Sequence, residues 1–281
     1  MTVRIVTDST CDLPQDLIQK WGISVVPLYI NLDRNSYLDG VELSRQEFYE
    51  KQPALKTPAT TSVPGIGAFV NVYESLVAEG ASSIVSIHVS SKLSNVANVA
   101  KLAAQAFDPV PIIVVDGGQL SLGTGVLVLE AAQAAAQGCD ASEITAIVKE
   151  KTTRTYAYAV LDTLEYLRRS GRVSLLTSSL GSLLKIKPML TMHDGEIGQD
   201  KVRTWKGAMD RLLELAKSLG SLEQLALVHT HAAGRVAELR EQIINIFPDE
   251  KINLIEEVTP VIGVHLGPGA VGFIGVTEKK R

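Results

Sequence analysis

The sequence predicts an α/β protein: an N-terminal domain with a mainly parallel sheet and helices on both faces, followed by a C-terminal α+β domain. Three observations point there. Short runs rich in Val and Ile alternate with longer helical patterns through the first half. The second half carries a hairpin signal at Asp194-Gly195 and a glycine-rich apolar stretch near its end. A length of 281 residues suits two cores better than one. The boundary is expected near residue 155, giving domains 1–155 and 156–281.

Taken in order, residues 3–7 read as a buried strand. Asp12 is expected to cap a helix over 14–21, with Pro14 in its tolerated first turn. A second strand covers 24–30. Ser44 and Glu47 form a capping box for a short helix. Helical periodicity covers 66–78, and a strand covers 83–88. An alanine-rich helix runs over 94–107, a strand over 112–115 and a helix over 125–137. Ser142 then caps a further helix. In the second half, Asp162 and Glu165 read as another capping box, opening a helix that ends near Gly171. Strands over 185–193 and 197–203 flank Asp194-Gly195. A long helix over 205–219, a strand over 225–231, a helix over 235–246 and a strand over 253–257 follow.

Residues 258–276 contain no Asp, Glu, Lys or Arg, which is long enough to span a bilayer. Pro260, Pro268 and a dense set of glycines break any such helix. The expectation is two buried strands around a tight Gly-Pro-Gly turn, with no membrane insertion.

Composition excludes several classes. With 46% hydrophobic and 21% charged residues the chain is ordinary globular material. A net charge of −4, and no basic run before Lys279, argue against nucleic acid as a partner. Cys11 and Cys139 lack metal-ligand spacing. Two lone thiols and no leader fit a cytoplasmic protein. There is no P-loop, G-x-S-x-G elbow, H-E-x-x-H or C-x-x-C.

The segments with chemical potential are hydroxyl-rich. Thr60-Thr61-Ser62-Val63-Pro64-Gly65 and Ser90-Ser91-Lys92-Leu93-Ser94-Asn95 both precede helices. Such hydroxyls read first as helix caps. The same geometry makes an anion site, since a helix N-terminus presents free N–H groups. The G-x-G-x-x-G string at 267–272 has too little chain after it for a dinucleotide fold, so a tight turn carrying His265 is expected. His229 and His231 would share a strand face and suit a metal, although no third ligand is identifiable. Arg203 is a lone cation at a strand end. Asp8 and Asp116 follow strands and would suit a metal or a base, with no partner assignable.

Together these segments resemble the DegV family of bacterial fatty-acid-binding proteins. The resemblance runs along nearly the whole chain. It includes V-T-D-S-T-C-D-L at the start, T-S-V-P at Thr61, S-S-K-L-S ending at Ser94 and V-D at Val115, with S-L-G-T-G from Ser121. It continues through L-E-Y-L-R-R-S-G-R ending at Arg172, I-K-P-M-L from Ile186, and H-L-G-P-G-A from His265. It implies a two-domain α/β protein holding a long-chain fatty acid, such as palmitate or oleate, between the domains. It implies hydroxyls of Thr61, Ser62 and Ser94 on the carboxylate, with His265 and Arg203 near the head group. It also implies a carrier role in lipid metabolism, presentation of the acid to a separate fatty acid kinase, and no cofactor or metal. Where the family continues T-S-x-P-S this chain has Gly65, and where it continues L-S-G-T it has Asn95-Val96. Two other readings compete: a serine-dependent esterase or acyltransferase using Ser94 or Ser62 with His265, and a metal site at His229 and His231.

Overall fold

The computed structural model describes residues 2–172, 186–248 and 251–279. The first half contains β1 (Val3–Asp8), α1 (Gln15–Lys20), β2 (Ser24–Val26), β3 (Tyr29–Leu32), β4 (Asn35–Leu38), α2 (Arg45–Lys51) and β5 (Thr60–Ser62). It continues with α3 (Ile66–Ala78), β6 (Ser83–His88), α4 (Val96–Gln105), β7 (Ile112–Asp116), α5 (Leu122–Ala136) and α6 (Ala141–Thr152). The second half contributes β8 (Thr155–Val160), α7 (Glu165–Arg169), β9 (Lys187–His193), β10 (Glu196–Val202), α8 (Trp205–Ser218) and β11 (Leu222–His229). It ends with α9 (Ala233–Ile243), β12 (Ile252–Glu257), α10 (Pro260–Leu266) and β13 (Val271–Thr277). Lys185, Lys280 and Arg281 lie outside the described residues.

A parallel sheet of order β2-β1-β6-β7 carries the first half, and β4-β3-β5 forms a small antiparallel sheet beside it. The second half forms a mixed sheet of order β10-β9-β8-β13-β11-β12, antiparallel except between β11 and β12. The predicted α/β class and parallel first sheet are therefore observed.

Five layers result. Val6 and Ile84 pack against Phe69 and Tyr73 of α3 and Ala100 of α4. Their neighbours Ile5 and Val85 point to the opposite face and meet α5 and α6, as a strand period of two requires. The same core continues into Ala157, Ala226, Val228 and Ile274 on the inner face of the six-stranded sheet. Leu225, Leu227 and Phe273 on its outer face pack against α8 and α9. The start of α5 is therefore buried all round, from Leu122 to Val128, and it shows no polar face to water.

Several local expectations change. Asp12 is not a cap: it sits in the left-handed region at φ 56°, and α1 begins after Pro14 without a side-chain cap. Its buried carboxylate instead accepts from the Ser121 hydroxyl and from the Thr259 N–H. The box opening α6 is Asp140 with Glu143, not Ser142. The Asp162–Glu165 box does not form. Thr163 accepts from the Glu165 N–H, and Asp162 pairs with Lys187 and Arg235.

The largest change is in the apolar stretch 258–276. Its first part is a helix, α10, rather than a strand. Pro260 supplies the pre-set φ of a first helical turn. Gly267, at φ 71°, ends the helix in a conformation open to glycine. A Cβ there would also overlap the Tyr166 ring.

The chain around α10 is bound to the first half by side chains of α2 and of Gln52 just after it. Arg45 pairs with Glu256 at 3.2 Å. The Tyr49 hydroxyl donates to the Val258 carbonyl at 3.0 Å, and the Gln52 amide to the Gly263 carbonyl at 3.1 Å. Val261 and Val264 complete the core between α2, α3 and the small sheet.

Candidate functional site

Thr10 follows β1, Leu93 and Ser94 follow β6, and Leu120 follows β7. All of them line cavities that open beyond the carboxyl ends of the parallel strands, where ligands of such sheets sit. The first cavity, of about 120 Å³, gathers Thr10, Thr61, Ser62, Ser94, Arg172 and His265 among aliphatic side chains. The second, of about 80 Å³, is almost wholly apolar and reaches Ala157, Met192, Val228 and Ile274 on the inner face of the large sheet. Leu93, Leu120, Leu190, Ile197 and Leu266 line both. The two are thus adjoining parts of one chamber, polar at one end.

The polar end is assembled from five separate pieces of chain. Thr61 lies on β5, in register with Ile30 of β3, and not at a helix start as expected. Gly65 is the residue before α3, and no side chain caps that helix. Likewise Asn95, not Ser94, precedes α4, again without a side-chain cap. The hydroxyls of Thr61 and Ser94 are therefore not consumed in capping. Ser62, one residue on from Thr61, faces the other side of β5. It is exposed at the rim, with the Asn31 amide 3.4 Å from its Oγ.

His265 comes from α10. Its Nε2 is 3.2 Å from the Thr61 Oγ, and its buried Nδ1 has no hydrogen-bond partner among the described residues. Burial, with Arg172 nearby adding to it, pushes the imidazole pKa down to about 4. The ring is neutral at pH 7, so it carries one proton. If Nε2 holds it, His265 donates to Thr61 and leaves the threonine O–H free to point into the cavity. If Nδ1 holds it, Thr61 must donate to the ring. An acceptor in the cavity selects the first tautomer.

The structure thus brings together Thr61, Ser94 and His265, with Ser62 at the edge. Arg203 is exposed just beyond β10 and is not among the lining residues described. Arg172 lines the cavity in its place. Thr10 and Arg172 were not singled out from sequence as site residues. Both sit in segments that stood out for other reasons, D-S-T after the first strand and R-R-S-G-R after a helix.

His229 and His231 do not form a metal pair. The strand ends at His229, and His231 turns away at φ 49°. His229 accepts from the Ala232 N–H, while His231 approaches Glu257 and stacks on Tyr49. No group of three or more His, Cys, Asp or Glu among the described residues is arranged to hold a metal. Asp116 accepts from the Ser91 and Gly118 N–H groups and so ties two turns of the cavity wall together. Among the described residues no helix is long and apolar enough to cross a membrane.

Fold and cavity together define an α/β protein with a largely apolar chamber headed by hydroxyls and a neutral imidazole. The family model described as "Uncharacterised protein, DegV family" matches residues 2–278. The chain belongs to the DegV family. A DegV domain-containing protein of Caldanaerobacter subterraneus is 36% identical over 274 residues, covering 96% of this chain and 97% of its own. A DegV family protein of Thermus thermophilus, described by its fatty acid binding, superposes with a TM-score of 0.88 at 32% identity, covering 99% of this chain and 100% of its own. DegV of Bacillus subtilis, described as a fatty acid binding protein, superposes with a TM-score of 0.90 at 30% identity and the same coverage.

Proposed function

We propose that this protein binds a long-chain fatty acid such as palmitate or oleate and presents its carboxylate to a separate kinase. The observation that carries this is the chamber itself: one end offers Thr61, Ser94 and His265, and the rest is apolar. The fatty-acid binding of the Thermus and Bacillus relatives supports the same reading.

Two requirements of the ligand are met. Each buried methylene contributes about 0.8 kcal/mol, so a dozen contribute about 10 kcal/mol before the costs of association. The carboxylate must be hydrogen-bonded when buried. Thr61 and Ser94 supply neutral donors, with Ser62 at the rim, and Nε2–H of His265 frees the Thr61 proton for the ligand. Neutral donors leave the carboxylate its charge, as a group accepting a phosphoryl transfer requires.

The geometry favours binding over ester hydrolysis. His265 meets a threonine rather than Ser62 or Ser94, and among the described residues no carboxylate orients its Nδ1. An imidazole with a pKa near 4 is also a weak general base at pH 7.

Native mass spectrometry of protein purified from cells tests the proposal. The expected result is a co-purified fatty acid, replaceable by added oleate. A protein that arrives empty and takes up neither palmitate nor oleate overturns it. Failure of a cognate kinase with ATP to phosphorylate the bound acid overturns the presenting role alone.

A further inference from the structure

Asp8 ends β1 and its side chain is fully buried. It makes no contact with the cavity, yet all four of its acceptor positions are taken. Oδ1 accepts from the N–H and the hydroxyl of Thr10, at 3.0 and 2.5 Å. Oδ2 accepts from Nδ1 of His88 at 2.9 Å and from the Val89 N–H at 3.2 Å. Thr10 and Val89 both line the head-group cavity. One carboxylate therefore fixes two turns that form its wall.

The connection extends further into the core. Nε2 of His88 is 2.7 Å from the Ser86 Oγ, which in turn accepts from the Tyr73 hydroxyl at 3.1 Å. All these side chains are buried. Phe69 meets the His88 ring edge-on, with centroids 5.4 Å apart. With His88 as the neutral Nδ1–H tautomer, every donor finds an acceptor. Tyr73 donates to Ser86, Ser86 to His88, and His88 to Asp8. In this tautomer the donors run in one direction and end on the carboxylate, so they polarise one another. Tyr73 belongs to α3, the helix that follows β5, and Ser94 follows the turn that begins at Val89.

We infer that Asp8 is the positioning residue of the head-group site, acting through Thr10, Val89 and the directed chain His88–Ser86–Tyr73 to set the hydroxyls that meet a carboxylate. This rests on the fatty-acid reading above. A buried, hydrogen-bonded carboxylate is weak evidence of stability, because an apolar group of similar size often serves as well. Geometric specification of a polar site gives it a role that apolar packing does not replace.

Asp8→Asn keeps the shape and removes an acceptor. Its amide nitrogen must face either Thr10 or the His88–Val89 pair, and each side presents a backbone N–H that an amide nitrogen cannot accept. The test compares binding of oleate with that of oleyl alcohol, which has the same tail and no carboxylate. Asp8→Asn is expected to lower oleate affinity tenfold or more while oleyl alcohol affinity stays within threefold of wild type. Equal oleate affinity overturns the inference. So does a parallel loss of both ligands, which marks a purely structural residue. Should Asp8→Asn fail to fold, Ser86→Ala breaks the same chain farther away. It is expected to cost oleate alone at least threefold, and unchanged oleate affinity counts against the inference equally. A wild-type protein that binds neither ligand fails earlier, at the fatty-acid reading, and is seen before any variant is made.

Discussion

Nε2 of His265 and Oγ of Thr61 stand 3.2 Å apart although 204 positions separate them in the chain. One sits on a short strand of the first half and the other on a short helix near the end. Their meeting depends on how α2 and Asp12 hold the segment from Glu256 to Gly263.

Thr61→Val with Ser94→Ala removes two hydroxyl donors from the cavity and leaves the core unchanged. Each hydrogen bond to a charged acceptor contributes about 1.5–3 kcal/mol. The pair is expected to weaken oleate binding by at least a hundredfold, with the circular dichroism spectrum unaltered. Titration of both proteins with oleate measures it, and an unchanged dissociation constant places the carboxylate elsewhere.

The depressed pKa of His265 sets a pH dependence by its absence. With the ring neutral above a pKa of about 4, oleate affinity has no imidazole midpoint between pH 6 and 8. Titrations at pH 6, 7 and 8 test this. A midpoint near 6.5 that vanishes in His265→Gln would contradict a neutral ring.

Two buried acids of the first half give stability the opposite slope to the usual carboxylate. Burial lifts Asp12 to about 6 and Asp39 to about 7, although Arg45 opposes both shifts. Among the described residues neither oxygen of Asp39 has a well-formed hydrogen bond, and the nearby Ser9 and Thr259 hydroxyls offset only part of the cost. The native state binds these protons more tightly than the unfolded chain, whose carboxyls titrate near ~4. Their contribution therefore grows as pH falls from about 7 toward about 4, and is lost as they ionise above that. Asp39→Asn imitates the protonated acid. At pH 8 it is expected to stabilise the fold by on the order of 1–3 kcal/mol, and at pH 4 to change little. Urea unfolding at the two pH values decides, and equal effects at both would sink the argument.

Gly267→Ala meets two obstacles at once, a positive φ and the Tyr166 ring. The expected loss is about 2–4 kcal/mol, or a displaced α10 with weakened oleate binding. Thermal melting and an oleate titration read both. Gly65→Ala is the matched control, because a Cβ there meets open space.

How much was legible in the sequence depended on how local the cause was. Ile84 and Val85 point to opposite apolar faces, so β6 reads as a short run rich in Ile and Val, and the parallel sheet follows from such runs. The Ser44–Glu47 capping box and the Asp194-Gly195 hairpin were equally local and are present. In α10, Val261, Ile262 and Val264 favour a strand, and only Pro260 and Gly267 marked a helix. A seven-residue helix offers too few turns for periodicity to outweigh composition. The sequence puts Thr61 before a helix because β5 spans only three residues and derives its identity from pairing with β3. That pairing, the approach of Arg172 and the tie from Asp8 to His88 are long-range contacts, on which no spacing rule bears.

The entry of α10 into the core of the first half also fixes when the site comes into being. Val261 and Val264 fill that core beside Phe48, Tyr49 and Ile30, and His265 completes the polar end of the cavity. On a ribosome the parallel sheet can form long before these residues emerge. Until then the nascent protein keeps an apolar gap where α10 will lie and lacks its imidazole. The polar end of the cavity is therefore complete only once the chain has been made past His265.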